Sequence, residues 1–321
     1  ARALQGSLLA RTFNPGALGG TQDRRTFRFL ISGNQAEEQL AFSVLDYPGR
    51  WVHGRSTEAE ERDWGDCQDW MAKSSILIVP VDAPVLMEAT ESSHCQAIPA
   101  ILTTPEVNET ARSWAKERRK HRDEPALLLL CPLKCESYFA DNGGRRDRVA
   151  LLRQMVERVF ADTIRAVREE APHARILYAP IDTIGCVEVI RSEWEPQPHP
   201  PGVRFSAVYR VRQPGQRCVK AADTVMLALI QHLIAAKRVI EARLSKQRVD
   251  EAKWAEELAV RDEGFFGNIR LWWNGERERR EAAAKEAAGT ADEQKRKLRS
   301  LEEVLESLNS RPFDPRVVDL G

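Results

Sequence analysis

The sequence has no charge of either sign to spare: 48 Lys and Arg residues balance 48 Asp and Glu over 321 residues. That balance removes any bulk electrostatic argument for nucleic acid or an anionic membrane as partner. Long apolar runs are also missing. The most apolar segment, Ala221 to Ala236, carries Asp223, Gln231 and His232, so it reads as a buried helix and not as a membrane span. The six cysteines, at positions 67, 95, 131, 135, 186 and 218, are scattered and partly in apolar surroundings. They fit reduced thiols of a cytosolic protein and not a disulfide framework. Cys131 and Cys135 are followed by no second Cys or His pair at zinc-ligand spacing, and the six His residues form no metal-like pairs. With no Gly-x-Ser-x-Gly elbow either, a hydrolase of the Ser-His-Asp kind has no support. No secretory signal pattern is present.

What the chain does contain is organised around Leu40 to Trp51. An apolar run rich in β-formers leads to Asp46, and Gly49 closes a turn three residues later. The pattern predicts a carboxylate at the carboxyl end of a strand, where open α/β sheets bind ligands. Asp-Tyr-Pro-Gly is also ordinary turn chemistry.

Around that stretch the periodicities alternate. Ala3 to Thr12 has the spacing of a helix end, broken by Asn14-Pro15-Gly16 and Gly19-Gly20. Arg25 to Ile31 and Leu40 to Asp46 read as strands joined through Gly33-Asn34, as in an antiparallel hairpin. Ser56 to Ala72 reads as a helix, and Ser74 to Val81 as a buried strand ending at Asp82-Ala83-Pro84. After a looser region comes a charged helix from Glu106 to His121. Pro125 to Cys131 has the continuous apolar run of a strand covered on both faces. One amphipathic helix is expected from Arg146 to Glu169, a strand from Arg175 to Pro180, and an inserted hairpin from Val187 to Ile190 and Val203 to Val211. A long helix from Lys220 to about Leu244 closes the unit. Strands alternating with helices predict a three-layer α/β domain over 1–244, with a mostly parallel sheet and one antiparallel edge.

Residues 245–321 read as a charged helical extension. Leu298, Leu301, Leu305 and Leu308 have the spacing of a short coiled-coil seam. Residues 264–273, Gly-Phe-Phe-Gly-Asn-Ile-Arg-Leu-Trp-Trp, are too aromatic to stand in water and are expected to dock on the core, on a partner or on lipid.

Taken in order, the chain resembles the core of Ras-like (TRAFAC-type) P-loop GTPases entered just after the phosphate-binding loop. Within that group it is similar to bacterial double-GTPase and YcjX-like proteins. The likeness covers roughly residues 1–244. It rests on the DxxG-like Asp46-Tyr47-Pro48-Gly49, on Leu133-Lys134-Cys135-Glu136 where such proteins carry Asn/Thr-Lys-x-Asp, and on Thr183-Ile184-Gly185 after the following strand. The resemblance implies GTP or GDP with Mg²⁺. Asp46 and Gly49 would face the metal and phosphate, the stem of Lys134 would lie over the base, Glu136 would accept from the guanine edge, and Thr183 would lie beside the base. Thr21 or Thr26 would be the Thr that reaches Mg²⁺, with Thr21 as the candidate metal ligand beside Asp46.

The departures are definite. No Gly-x-x-x-x-Gly-Lys-Ser/Thr occurs, and Gly16 to Thr21 lacks the Lys. Arg50 stands where many GTPases keep a water-positioning Gln. The missing piece would sit immediately before residue 1. The resulting expectation is a cytosolic GTPase-like switch protein, truncated or degenerate at the phosphate-binding loop. It would meet a protein partner through its switch-like segments and the aromatic segment. The rival is a non-hydrolysing pseudo-GTPase scaffold that acts through protein contacts alone.

Overall fold

A strand made only of Leu, Cys and Pro is stable only if both its faces are covered, and Leu127–Leu133 sets that requirement for the whole molecule. The computed structural model describes residues 12–13, 23–32, 39–54, 57–140, 147–183, 185, 187–198, 201–212, 219–261 and 313–321. Its first elements are β1 (Thr12–Phe13), β2 (Arg25–Ser32), β3 (Gln39–Asp46), α1 (Arg50–His53) and α2 (Glu58–Lys73). Next come β4 (Ile76–Asp82), α3 (Ala83–Met87), α4 (Ser92–Ile101), α5 (Thr104–Arg119) and β5 (Leu127–Leu133). A 3₁₀ turn over Cys135–Ser137 is followed by α6 (Val149–Val159), α7 (Ala161–Glu170), β6 (Arg175–Tyr178), β7 (Val187–Pro198) and β8 (Pro201–Val211). The last elements are α8 (Ala222–Arg261) and β9 (Val318–Asp319).

The protein is mixed α/β, with a mostly parallel central sheet of order β4-β5-β6-β9. Ile76 to Asp82 register against Leu127 to Leu133, and Leu127 to Leu130 against Arg175 to Tyr178, all parallel. β9 is the antiparallel edge, with Val318 opposite Tyr178. Alternation along β5 then divides the core. Leu128 and Leu130 pack with Ile176, Trp114 and Leu152 on one face, and Leu127, Leu129 and Cys131 pack with Val225 and Ala228 of α8 on the other. Trp114, fully buried, donates its indole N–H to the carbonyl of Ser74 at 2.8 Å, which pins α5 to the start of β4. A second sheet, β1-β8-β7, is antiparallel, and β2 and β3 form a third of two strands.

Two compact units result: Ala1–Phe29, Ala41–Leu229 and Phe313–Gly321 in one, and Leu30–Leu40 and Ile230–Pro312 in the other. The described part of the second consists of the ends of β2 and β3 and the run of α8 beyond Leu229.

Several expectations are corrected. The region after Asp82 is helical (α3 and α4), and its apolar residues Val85, Leu86 and Met87 are buried in the core. The single helix over 146–169 is two, broken at Phe160, whose ring is buried and whose backbone leaves the helical region at φ −103°. The inserted hairpin is far longer than the alternation suggested, running through Pro198 opposite Pro201. The closing helix does not stop near Leu244 but continues to Arg261. Phe313–Gly321 return to the first unit, where β9 pairs with β6. Among the described residues no helix is long and apolar enough to cross a membrane. The helix end expected over Ala3 to Thr12 lies, up to residue 11, outside the described residues. So do Thr21, the leucine seam and the aromatic segment 264–273.

Candidate functional site

The turn after β3 is built by two aromatic anchors. Trp51 and Trp64 are buried together with Cys67 and Met71, and Tyr47 meets Trp64 edge-on at 5.5 Å. Burial, more than the neighbouring Cys67 and Asp46, raises the Tyr47 phenol. The backbone N–H of Trp51 donates to the carbonyl of Pro48 at 3.0 Å, so the chain passes from Asp46 directly into α1. Gly49 sits at φ −57°, a conformation open to any residue, and a Cβ placed there would meet nothing within 4 Å. Its backbone freedom is therefore unused, and the space above it is open. Arg50 is turned to the surface, 2.5 Å from Glu60.

Lys134, Glu136 and Thr183 come together at the carboxyl ends of β5 and β6. Glu136 is fully buried, and its Oε1 accepts the N–H groups of Thr183 at 2.7 Å and Gly185 at 3.0 Å. The hydroxyl of Thr183 accepts the N–H of Lys134 at 3.0 Å. Lys134 itself has a left-handed backbone, φ 62°, and its Nζ lies 2.7 Å from Oδ2 of Asp82 at the end of β4. Arg212 completes the loop by donating Nη2 to the carbonyls of Glu136 and Val187, 2.8 Å each. Next to it the buried Asp182 accepts the N–H of Lys220 at 3.1 Å. Tyr138 donates its hydroxyl to Glu88 at 2.9 Å, and burial first, then the Glu88 charge, raises its phenol.

The turn at Asp46 borders a cleft of about 810 Å³ whose lining does not include Lys134, Glu136 or Thr183. Asp46, Gly49 and Asp82 all line it, and Asp82 is the residue that holds Lys134. Asp82 and Arg212 were not singled out from the sequence. A carboxylate ending an apolar strand, as Asp46 ends β3, was the available signal for Asp82; nothing local marks Arg212. Chemically the site offers a half-buried carboxylate, an open glycine and a Lys stem at strand ends. Among the described residues no group of three or more His, Cys, Asp or Glu could hold a metal ion by itself. Mg²⁺ at Asp46 would need ligands from a nucleotide or from water.

No protein-family model matches the chain, and no curated protein or solved structure matches it either.

Proposed function

We propose that the chain is a GTPase-like, guanine-nucleotide-binding regulatory protein of the P-loop NTPase class, lacking the phosphate-binding loop within the given sequence. The observation that carries this reading is a cleft bordered by two strand-end carboxylates, Asp46 and Asp82. The Asp46–Gly49 turn and Asp82, the partner of Lys134, border the same space at strand ends. In this reading Asp46 meets Mg²⁺ through water, Gly49 leaves room for a terminal phosphate, and the Lys134 stem covers the base. Glu136 braces the loop, and guanine recognition by it requires the Thr183 and Gly185 amides to release it.

Calorimetric titration with GTP and GDP in Mg²⁺, with ATP as control, tests the proposal. Guanine-specific micromolar binding, by this chain or by one extended upstream to include a phosphate-binding loop, supports it. Absence of binding by both removes it.

The second reading is a pseudo-GTPase scaffold. It is favoured by the present engagement of Lys134 with Asp82 and of Glu136 with two amides, which occupies both side chains without a ligand. Under it, Asp46→Ala and Lys134→Ala leave partner capture intact. A loss of function with Asp46→Ala in a folded protein would sink it.

A further inference from the structure

The hairpin of β7 and β8 is fastened to the rest of the first unit at two places. Its root is tied to the turn that carries Lys134 and Glu136. Arg212, just past β8, donates Nη2 to the carbonyls of Glu136 and Val187, and Val189 donates its N–H to Oγ of Ser137, all at 2.8 Å. Thr183 and Gly185, whose amides Glu136 accepts, lie just before β7. The body of the hairpin is tied elsewhere. Trp194 lies flat on His94 of α4, with ring centres 4.5 Å apart and planes within 6°. Phe205, opposite Trp194 on β8, meets the indole edge-on at 4.9 Å. Trp194 is five residues beyond Val189, roughly 16 Å along the strand.

The hairpin is built to act through this inner face. Among the described residues β7 is paired only with β8, yet its outer edge is poorly suited to strand addition. A bulge at Ile190 interrupts the ladder, and Pro196 and Pro198 have no N–H to offer. The bulge also bends β7 between its two anchors. α4 in turn is joined to the same turn as the hairpin root, because Glu88, just before it, accepts the hydroxyl of Tyr138 at 2.9 Å. The contacts therefore close a circuit: from the turn through Glu88 to His94, across to Trp194, and down β7 to Val189 and Ser137. A break at one point of such a circuit is felt at the others.

We propose that the β7–β8 hairpin positions the Lys134–Glu136 loop, and that the His94–Trp194 stack on α4 sets how firmly that loop is held. The two residues are positioning residues, and they act on the loop without touching it. Linkage makes the effect reciprocal: a ligand that draws Glu136 away from the Thr183 and Gly185 amides loosens the stack in turn. The coupling is a property of the chain itself and holds whether or not the loop binds nucleotide.

Residue-resolved hydrogen exchange of the full chain tests it. In Trp194→Ala the amides of Thr183, Gly185 and Val189 should exchange roughly tenfold faster than in the parent. The amide of Ala179, which donates to Leu130 at 2.9 Å in the central sheet, should keep its rate. Trp194→Phe, which retains a ring against His94, should restore most of the protection. His94→Ala should match Trp194→Ala, and the double variant should be no faster than either, because both residues act through one contact. His94 is only half-buried, so its variant gives the reading even where Trp194→Ala does not fold. The proposal is overturned if Thr183 and Gly185 keep their protection when the stack is lost, or if Ala179 accelerates as much as they do. It is overturned equally if Trp194→Phe is as fast as Trp194→Ala, or if the effects of the two alanine variants add.

Discussion

Lys134 joins three strand ends at once: its Nζ lies 2.7 Å from Asp82 Oδ2 after β4, while its own N–H donates to Thr183 Oγ1 at 3.0 Å beyond β6. The left-handed backbone that makes this geometry costs a non-glycine residue about 1–2 kcal/mol. The ion pair is about one-third exposed on both sides, so solvent screening limits its return to about 1 kcal/mol or less. The residue is thus close to neutral for folding.

Lys134→Ala should therefore destabilise the protein by about 1 kcal/mol or less, and Lys134→Gly should fall within about 0.5 kcal/mol of the parent, because glycine relieves the backbone cost as the pair is lost. Urea unfolding of the two variants checks this. A loss above about 2 kcal/mol in either would mean that the loop depends on the ammonium.

Glu136 is the opposite case. Glu136→Ala leaves the Thr183 and Gly185 amides without their acceptor and should cost about 2–4 kcal/mol. Glu136→Gln, which keeps a carbonyl oxygen in place, should cost about half as much. Equal losses from the two variants would show that the carboxylate itself, which both remove, and not a side-chain carbonyl oxygen or packing, holds the loop.

The contrast between these neighbours shows where sequence reading reaches its limit. The apolar run at Leu127–Leu133 dictates a central strand because no other environment satisfies it, and the same logic found β4 and β6. β2 and β3 were legible as strand-like runs joined through Gly33-Asn34, but their separation from β4 was not, since neither flanking strand carries a mark of it. α3 and α4 were missed because Asp82-Ala83-Pro84 read as a strand end and the residues after it as a looser region. Pro84 instead sits in the first turn of α3, where no N–H is needed. At the site, Lys134, Glu136 and Thr183 were chosen from local patterns and do meet. Asp82 and Arg212 join them through contacts across 52 and 76 residues, which a linear pattern does not encode.

Asp314 gives a pH prediction. Hydrogen bonds from the Arg316 side chain, aided by its N–H, hold the Asp314 carboxyl below its ordinary value despite partial burial. A carboxyl depressed in the fold contributes stability that is complete above its unfolded value of about 3.9 and is lost as pH falls through the lower folded value. Acidification below about pH 4 should loosen the segment that carries β9. Asp314→Asn should remove that part of the acid dependence, as followed by urea midpoints between pH 5 and 3. An unchanged slope in the variant would refute the assignment.

Thiol reactivity should sort by burial. Cys131 has its thiol pushed up to about 12 by burial, and Cys135 is raised well above its usual value by the same cause first. Cys95 is exposed. Iodoacetamide at pH 8 followed by peptide mapping should label Cys95 within minutes and leave Cys131 and Cys135 unmodified until the protein is unfolded. Early labelling of Cys131 would contradict the covered β5.

The pairing of Val318 with Tyr178 has a consequence for the order in which the sheet is completed. The two strands lie about 140 residues apart in the chain, so this edge closes only when a long loop is bridged. Until β9 arrives, β6 keeps one side open, and an unpaired edge of that kind is adhesive to its neighbours.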